Sequence, residues 1–279
     1  MQFKITHITE YNYSEEVFLE PHYLRFKPKI TPYLDVEKFD IQIDPLPSGF
    51  SEHIDSENNH IRLYWFENMH NKLSILVNSA IDIKTFNPFN FLIYPSDYST
   101  VPFLYNVTTK SLLGPALQTI SLTDPMHRFM NAIRIKAKSN TLQILTELSA
   151  QIHNEFELEF REEGAPLAPE MTFEQKRGSC RDLSWMMIHF LRNIGMAARF
   201  VSGYFYLEAE HPEFELHAWV ETYLPGAGWI GVDPSHGIFC GTHHFPVASS
   251  AYFEHTMPVT GSVRGSATAT MKSEVNIIR

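Results

Sequence analysis

The sequence has little cysteine, no long apolar run and no surplus of basic residues. Its two cysteines, Cys180 and Cys240, among 279 residues are too few for a disulfide framework and are typical of a reducing compartment. The first residues, MQFKITHITEYNYSEE, contain no apolar leader, and no stretch approaches the roughly 18 apolar residues of a membrane span. The formal net charge of −10 argues against nucleic acid or an anionic membrane as a partner. These absences predict a cytoplasmic protein that has neither nucleic acid nor a membrane as a partner.

Metal-binding motifs are also missing, although the chain has 14 histidines. Neither H-E-x-x-H nor C-x-x-C occurs, and the adjacent pair His243-His244 is poorly spaced for chelation. The sequence therefore predicts no metal. A site built from scattered histidines stays open as an alternative, and metal analysis of the purified protein would test it.

The first hundred residues have the pattern of β-structure. The segments FKITHIT, FDIQID and LSILVNSAIDI are rich in β-branched and apolar residues, and the first two alternate. Turn residues separate them at 45–49 and at Asn58-Asn59. We expect an antiparallel β-sandwich of five to seven strands as domain 1–100. Residues 101–279 would then form a second domain, which makes the protein an α+β protein.

Helices and strands alternate in this second domain. Asp124-Pro125 and Asn140 or Thr141 predict two helix starts. The sequence TFEQ from Thr172 matches a capping box and predicts a short helix beginning there. A longer helix follows Cys180, with apolar residues at helical spacing and Gly195 as its stop signal. The segments MAARFVSGYFYL, ELHAWVETYL and GWIGVDP predict consecutive strands, and ATATMKSEVNII a closing strand.

Three residues in this order have the chemistry of a thiol enzyme. The attacking species is a thiolate, and the unpaired amides at a helix start favour an anion at the position of Cys180. An imidazole must accept the thiol proton, and a third group must orient that imidazole. His217 lies in one predicted strand and Asp233 ends the next, so a shared sheet face would bring them together. Asp182, also in the first helical turn, is expected to interact favourably with the helix dipole and is not assigned a catalytic role.

The motifs around these residues resemble the transglutaminase-like superfamily, and more closely the bacterial transglutaminase-like cysteine proteases. They are RGSCRDLS, then GMAARFVSGY, then HAWVETYLPGAGWIGVDPS, in the order that this family shows. The front of the chain, HITEYNYSEEV and HYLRFKP, is similar to the family's N-terminal β-domain. The resemblance implies a papain-like core of helices and an antiparallel sheet behind that β-domain.

The resemblance also implies a function and the roles of individual residues. Cys180 matches the nucleophile, His217 the general base and Asp233 the orienting carboxylate of a thiol-dependent amide or peptide hydrolase. A peptide or protein would be the substrate, no cofactor would be needed, and a homo-oligomer is compatible with the sequence. Two alternatives stay open: transamidation of protein glutamine to an amine, and a non-catalytic peptide-binding module on the same fold.

The oxyanion donors and one late segment are less well defined by sequence. The backbone N–H of Cys180 is one candidate donor, since amides at a helix start point toward that site. Gln175 is a second candidate, by analogy with papain-like enzymes. Many relatives carry Arg-Asp before a Tyr in the late segment, whereas this chain has Ser250-Ala251. If that segment lines the cleft, substrate preference or activity would differ.

Overall fold

The computed structural model describes residues 1–161, 164–208 and 214–279. The N-terminal part is rich in strands, as predicted, because its apolar residues recur at every second position and so share one face of each strand. Its strands are β1 (Gln2–Leu19), β2 (His22–Leu24), β3 (Leu34–Asp44), β4 (Gly49–Ile54), β5 (His60–Trp65) and β6 (Met69–Ile83).

These strands form two antiparallel sheets that pack on each other. In the first sheet, β6 lies between β1 and β3, and in the second, β5 lies between β2 and β4. Buried side chains from both sheets, among them Leu19, Leu24, Tyr64 and Ile75, form one shared hydrophobic core. The predicted β-sandwich is therefore present.

The helices follow in the middle of the chain. Two very short strands, which pair in parallel with each other, lie between them in sequence. In chain order these elements are α1 (Val107–Leu112), α2 (Asp124–Lys136), α3 (Thr141–Glu155), β7 (Glu157–Leu158), α4 (Pro169–Gln175), β8 (Arg177–Gly178) and α5 (Cys180–Asn193). Among the described residues, no helix is both long and apolar enough to cross a membrane.

The helix starts show where sequence signals succeed and where they fail. Asn140 caps α3, as predicted, by accepting a hydrogen bond from the backbone N–H of Gln143 at 3.0 Å. The capping box predicted at Thr172 is wrong, because α4 begins three residues earlier, at Pro169. Proline suits the first helical position because its fixed φ matches the helix and its missing N–H needs no partner there. Thr172 is instead buried inside the helix.

The three consecutive strands predicted after α5 lie in one antiparallel sheet. In spatial order it contains β12 (Ile238–Phe239), β11 (Gly228–Asp233), β10 (Leu216–Leu224), β9 (Ala198–Phe205) and β13 (His244–Ser250). The apolar face of α5 packs across β9 and β10 in the largest hydrophobic core of the described residues. The start of α5 and the central strands are thereby fixed relative to each other.

The end of the chain returns to the N-terminal sheets. Strand β14 (Val259–Thr260) pairs with β2, while β15 (Val263–Arg264) and β16 (Ala269–Ile278) both pair with β1. Val275 and Ile277 alternate inward along β16 and are buried. The predicted closing strand therefore exists and lies in the first sheet. The domain boundary near residue 100 stays a prediction.

Candidate active site

Cys180 is the first residue of α5, immediately after its N-cap, Ser179. The first amides of a helix have no partner within the helix, so this end of α5 carries partial positive charge. The thiol is only half-buried and lines a cavity of about 670 Å³. A thiolate at this position would be stabilised by the helix and open to a substrate.

A buried carboxylate holds the start of this helix in place. The Asp182 side chain accepts hydrogen bonds from the backbone N–H and the hydroxyl of Ser179, each at 2.7 Å. Its other oxygen accepts from Arg161 at 2.7 Å and from the backbone N–H of Leu167 at 2.6 Å. Asp182 therefore fixes the turn that positions Cys180, in addition to the favourable dipole contact that the sequence predicts.

We expect Asp182→Ala to lower the free energy of unfolding by about 2 kcal/mol, because it removes a helix cap and leaves buried donors unpaired. Urea denaturation measures this change. Asp124→Ala is the matched control, since Asp124 is also in a first helical turn but is exposed. Equal stability of the two variants would contradict the assigned role of Asp182.

Adjacent strands bring His217 and Asp233 together, as the hairpin in the sequence predicts. Val220 of β10 pairs with Val232 of β11. His217, near the start of β10, and Asp233, at the end of β11, therefore lie at the same end of the hairpin. Nε2 of His217 lies 2.8 Å from Oδ2 of Asp233. Gly203 lies opposite His217 in β9, and a Cβ there would be 2.3 Å from the backbone oxygen of Phe245. The close strand packing beside His217 therefore requires glycine.

The ring of His217 also interacts with Cys180, so the three predicted residues form one connected group. Burial alone would lower the pKa of His217, but the charge and hydrogen bond of Asp233, together with a hydrogen bond to Cys180, raise it to about 10. Since Nε2 is occupied by Asp233, Nδ1 is the nitrogen left for the thiol. The arrangement favours the protonated, positively charged form of the His217 ring beside Cys180.

Asp233 is buried and accepts more hydrogen bonds than the sequence predicts. The ring of His236 lies 2.8 Å and that of His244 3.2 Å from Oδ2, and the backbone N–H of Ser235 donates to Oδ1 at 2.9 Å. Burial would raise the pKa of Asp233, but the charge of His217 and these hydrogen bonds hold it well below its usual range. The carboxylate is thus kept ionised and fixed in orientation.

Sequence reasoning missed the roles of His236 and His244. The sequence marks His244 only as half of a poorly spaced chelating pair, and its contact with Asp233 depends on the pairing of β13 with β9. His236, three residues after Asp233 in the turn DPSHG, carried a local signal for this contact. The nitrogen of Gly241 lies 3.4 Å from Nδ1 of His244, which leaves the Nε2 hydrogen to face Asp233.

The same cluster bears on the metal alternative. Among the described residues, His217, Asp233 and His236 offer three potential ligand atoms within 4.8 Å of one another. Both histidine nitrogens, however, lie 2.8 Å from the same carboxylate oxygen. This geometry matches N–H donors around an acceptor, whereas ligand nitrogens would turn their lone pairs toward an ion.

Two other sequence expectations concern residues that do not line the cavity in the described part of the chain. Gln175 is exposed at the end of α4, so the geometry gives no support to its assignment as an oxyanion donor. Ser250 and Ala251 are buried, and the backbone of Ala251 is bonded by Glu57 and Arg192. After this pair, Phe253 and residues 256–259 do contribute to the lining.

Two known protein families match separate parts of the chain. The model for the bacterial transglutaminase-like N-terminal region matches residues 3–82, and the model for the transglutaminase-like superfamily matches residues 130–234. The first match covers the β-sandwich, and the second contains Cys180, His217 and Asp233. Fold and motifs thus define a transglutaminase-like core behind a β-domain. Residues 130–234 thus contain a transglutaminase-like superfamily core, and residues 3–82 a bacterial transglutaminase-like N-terminal region.

Individual proteins resemble this chain over all or part of its length. A crystal structure of a candidate cysteine protease from Cytophaga hutchinsonii has a TM-score of 0.70 and 19% identity, covering 100% of this chain and 91% of that one. This likeness establishes the shared fold. The uncharacterized protein Rv2569c of Mycobacterium tuberculosis is 22% identical, covering 94% of this chain and 87% of its own. A protein-glutamine gamma-glutamyltransferase of Pseudomonas aeruginosa is 33% identical over 82 residues, 27% of this chain and 12% of that protein.

Proposed function

We propose that this protein hydrolyses amide or peptide bonds through a thioester on Cys180, with His217 as general base and Asp233 as the orienting carboxylate. The single observation that carries the proposal is the connected group at the cavity: a half-buried thiol at a helix start that interacts with an imidazole whose Nε2 lies 2.8 Å from a buried carboxylate. The substrate is proposed to be a peptide or protein in the cytoplasm.

The first half of the reaction forms the thioester. The thiolate of Cys180 attacks the carbonyl carbon, and the C–N bond breaks as the proton on Nδ1 of His217 passes to the leaving nitrogen. Ammonia or an amine departs, and the acyl group stays on sulfur. The backbone N–H of Cys180, at the positive end of α5, is proposed to stabilise the oxyanion that forms in between.

The second half releases the product. His217, now neutral, takes a proton from water, and the resulting hydroxide attacks the thioester carbonyl. The carbon–sulfur bond breaks, a carboxylic acid leaves, and the thiolate–imidazolium pair is restored. Because Asp233 is held ionised and oriented by the backbone and two further histidines, the ring stays in the same orientation throughout both halves.

Transamidation is the second candidate, because an amine could take the place of water at the thioester. The observation that favours it is the 82-residue match to a protein-glutamine gamma-glutamyltransferase. We place hydrolysis first because the sequence resembles the cysteine-protease branch along most of its length. A non-catalytic peptide-binding module is the remaining alternative.

One experiment separates these three functions. The protein is incubated with reduced casein and dansylcadaverine, and the products are analysed by mass spectrometry. We expect new peptide termini or conversion of glutamine to glutamate to exceed amine incorporation. The variant Cys180→Ala is expected to abolish peptide cleavage, glutamine conversion and amine incorporation, whereas Cys240→Ala retains these reactions.

The other outcomes are equally informative. Amine incorporation as the main product would favour the transamidase. A wild-type protein that leaves casein unchanged while binding its peptides would favour the binding module. Activity that survives in Cys180→Ala would contradict the thioester mechanism.

A further inference from the structure

The cavity that contains Cys180 has one wall outside the transglutaminase-like core. Strand β1 contributes His7, Thr9 and Tyr11 to its lining, and β16 contributes Met271, Ser273 and Val275. We call these six residues the β1–β16 platform. They occupy alternate positions on each strand, and side chains two residues apart point to the same face of a sheet.

Strand register makes the platform one continuous row of side chains, in which Tyr11, Met271 and Ser273 are accessible while His7, Thr9 and Val275 are buried. His7 pairs with Val275, Thr9 with Ser273, and Tyr11 with Met271. The six side chains therefore stand in three adjacent cross-strand pairs. Neighbouring pairs on one face of a sheet lie close enough to contact a single ligand side chain.

The platform is fixed to the core, so its position relative to Cys180 is defined. Nδ1 of His7 lies 3.0 Å from the hydroxyl of Tyr204 in β9, and Nε2 lies 3.0 Å from the hydroxyl of Ser273. A backbone bridge between Phe214 and Val275 adds a second link, close to His217 in the chain. These contacts join the N-terminal sheet to the strands of the catalytic core.

The surface of the platform is uncharged. Burial lowers the pKa of His7 to about 4, so its ring is neutral at physiological pH. Among the other lining residues, Phe205, Leu207, Phe214 and Leu216 are apolar. Four charged residues also line the cavity. Arg161 pairs with Asp182, and Glu159 pairs with Arg177. Arg181 donates to the backbone oxygens of Gly164 and Arg161, and Glu215 is the fourth. An apolar side chain is therefore the ligand chemistry that this wall accommodates best.

We propose that the β1–β16 platform binds an apolar or aromatic side chain of the substrate, next to the acyl group that is transferred to Cys180. The inference rests on the proposed function and gives the N-terminal domain a role in choosing the substrate. A cavity of about 670 Å³ has room for such a side chain together with the flanking backbone. The expected substrates are peptides with a bulky apolar residue beside the bond that is cleaved.

The test compares the rates at which peptidyl chloromethyl ketones alkylate Cys180. The probes are benzyloxycarbonyl dipeptides that carry Phe or Glu at either of the two positions before the ketone, with Gly at the other. Burying one aromatic side chain supplies enough free energy for about a 10-fold preference for Phe over Glu. Mass spectrometry of the Cys180 peptide gives each second-order rate.

Two adjacent substitutions in β16 provide a matched pair. Met271→Glu adds a charge to the platform and is expected to reduce the Phe-to-Glu preference to about twofold or less. Thr270→Glu adds the same charge one residue away, on the exposed opposite face, and is expected to keep the wild-type preference. The milder Met271→Ala should give an intermediate value and covers the case in which Met271→Glu folds poorly.

The rate with iodoacetamide reports separately whether Cys180 is activated. The platform proposal would be overturned if the wild type shows no Phe-to-Glu preference, or if both Met271 variants keep that preference unchanged. Rapid alkylation of the wild type by iodoacetamide would in that case leave the proposed function standing. Slow alkylation of the wild type by iodoacetamide and by every probe would instead overturn the proposed function.

Discussion

Replacing His217 with Ala is expected to slow amide hydrolysis by about a thousandfold, the range in which a general acid–base residue contributes. The ring both accepts the thiol proton and returns a proton to the leaving nitrogen, so both halves of the reaction lose their proton carrier. A thiol without such a partner has a pKa near 8.5 and is only about 0.3% thiolate at pH 6. Alkylation of the variant by iodoacetamide at pH 6 should therefore fall by about 10-fold or more.

The matched control for this variant is His53→Ala, which removes an exposed histidine in β4. It should keep both the hydrolysis rate and the alkylation rate of the wild type. If His217→Ala reacts with iodoacetamide as fast as the wild type across pH 5–9, the imidazole does not activate Cys180. The assignment of His217 would then be wrong.

The variant Asp233→Asn is expected to lower the free energy of unfolding by about 3 kcal/mol at pH 5.5, because it removes one charge from a buried ion pair. The effect depends on pH in a defined direction. The raised pKa of His217 contributes stability that is complete below the unfolded value of about 6.5 and is lost as the pH rises through about 10. The lowered pKa of Asp233 also contributes stability. This contribution is complete above the unfolded value of about 3.8 and is lost as the pH falls through the lower folded value.

The stability difference between wild type and Asp233→Asn should therefore be largest between about pH 4 and 6.5. Urea denaturation at pH 5.5 and at pH 9.5 measures it, with the exposed Asp124→Asn as the control. We expect a smaller difference at pH 9.5, where part of it remains because the hydrogen bonds from Ser235 and His236 are weakened at any pH. A difference that grows with pH would contradict the ion pair.

Much of the fold and the candidate site follows from local sequence signals. The apolar residues after Cys180 recur at helical spacing, and α5 begins at that residue and ends just before Gly195. The strands that contain HAW and GWIGVDP are joined by the short turn PGAG, and they form a hairpin that brings His217 close to Asp233. These elements depend on contacts between residues that are close in the chain.

The features that were not predicted depend on distant contacts. The pairing of β16 with β1 joins residues more than 250 positions apart, and alternation in one strand does not specify its partner. His244 reaches Asp233 only because β13 returns to the edge of β9. Gln175 is a candidate only by analogy, and α4 presents it to solvent. Local patterns define elements, whereas register and sheet order define the neighbours of a side chain.

Direct detection of the acyl group on sulfur tests the central claim. The protein is mixed with p-nitrophenyl acetate, quenched in acid and digested, and the acetylated peptide is identified by mass spectrometry. The account predicts an acetyl group on Cys180 that hydroxylamine removes, and none on this peptide in Cys180→Ala or, at short times, in His217→Ala. An unmodified Cys180 in the wild type, or acetylation that persists without His217, would contradict it.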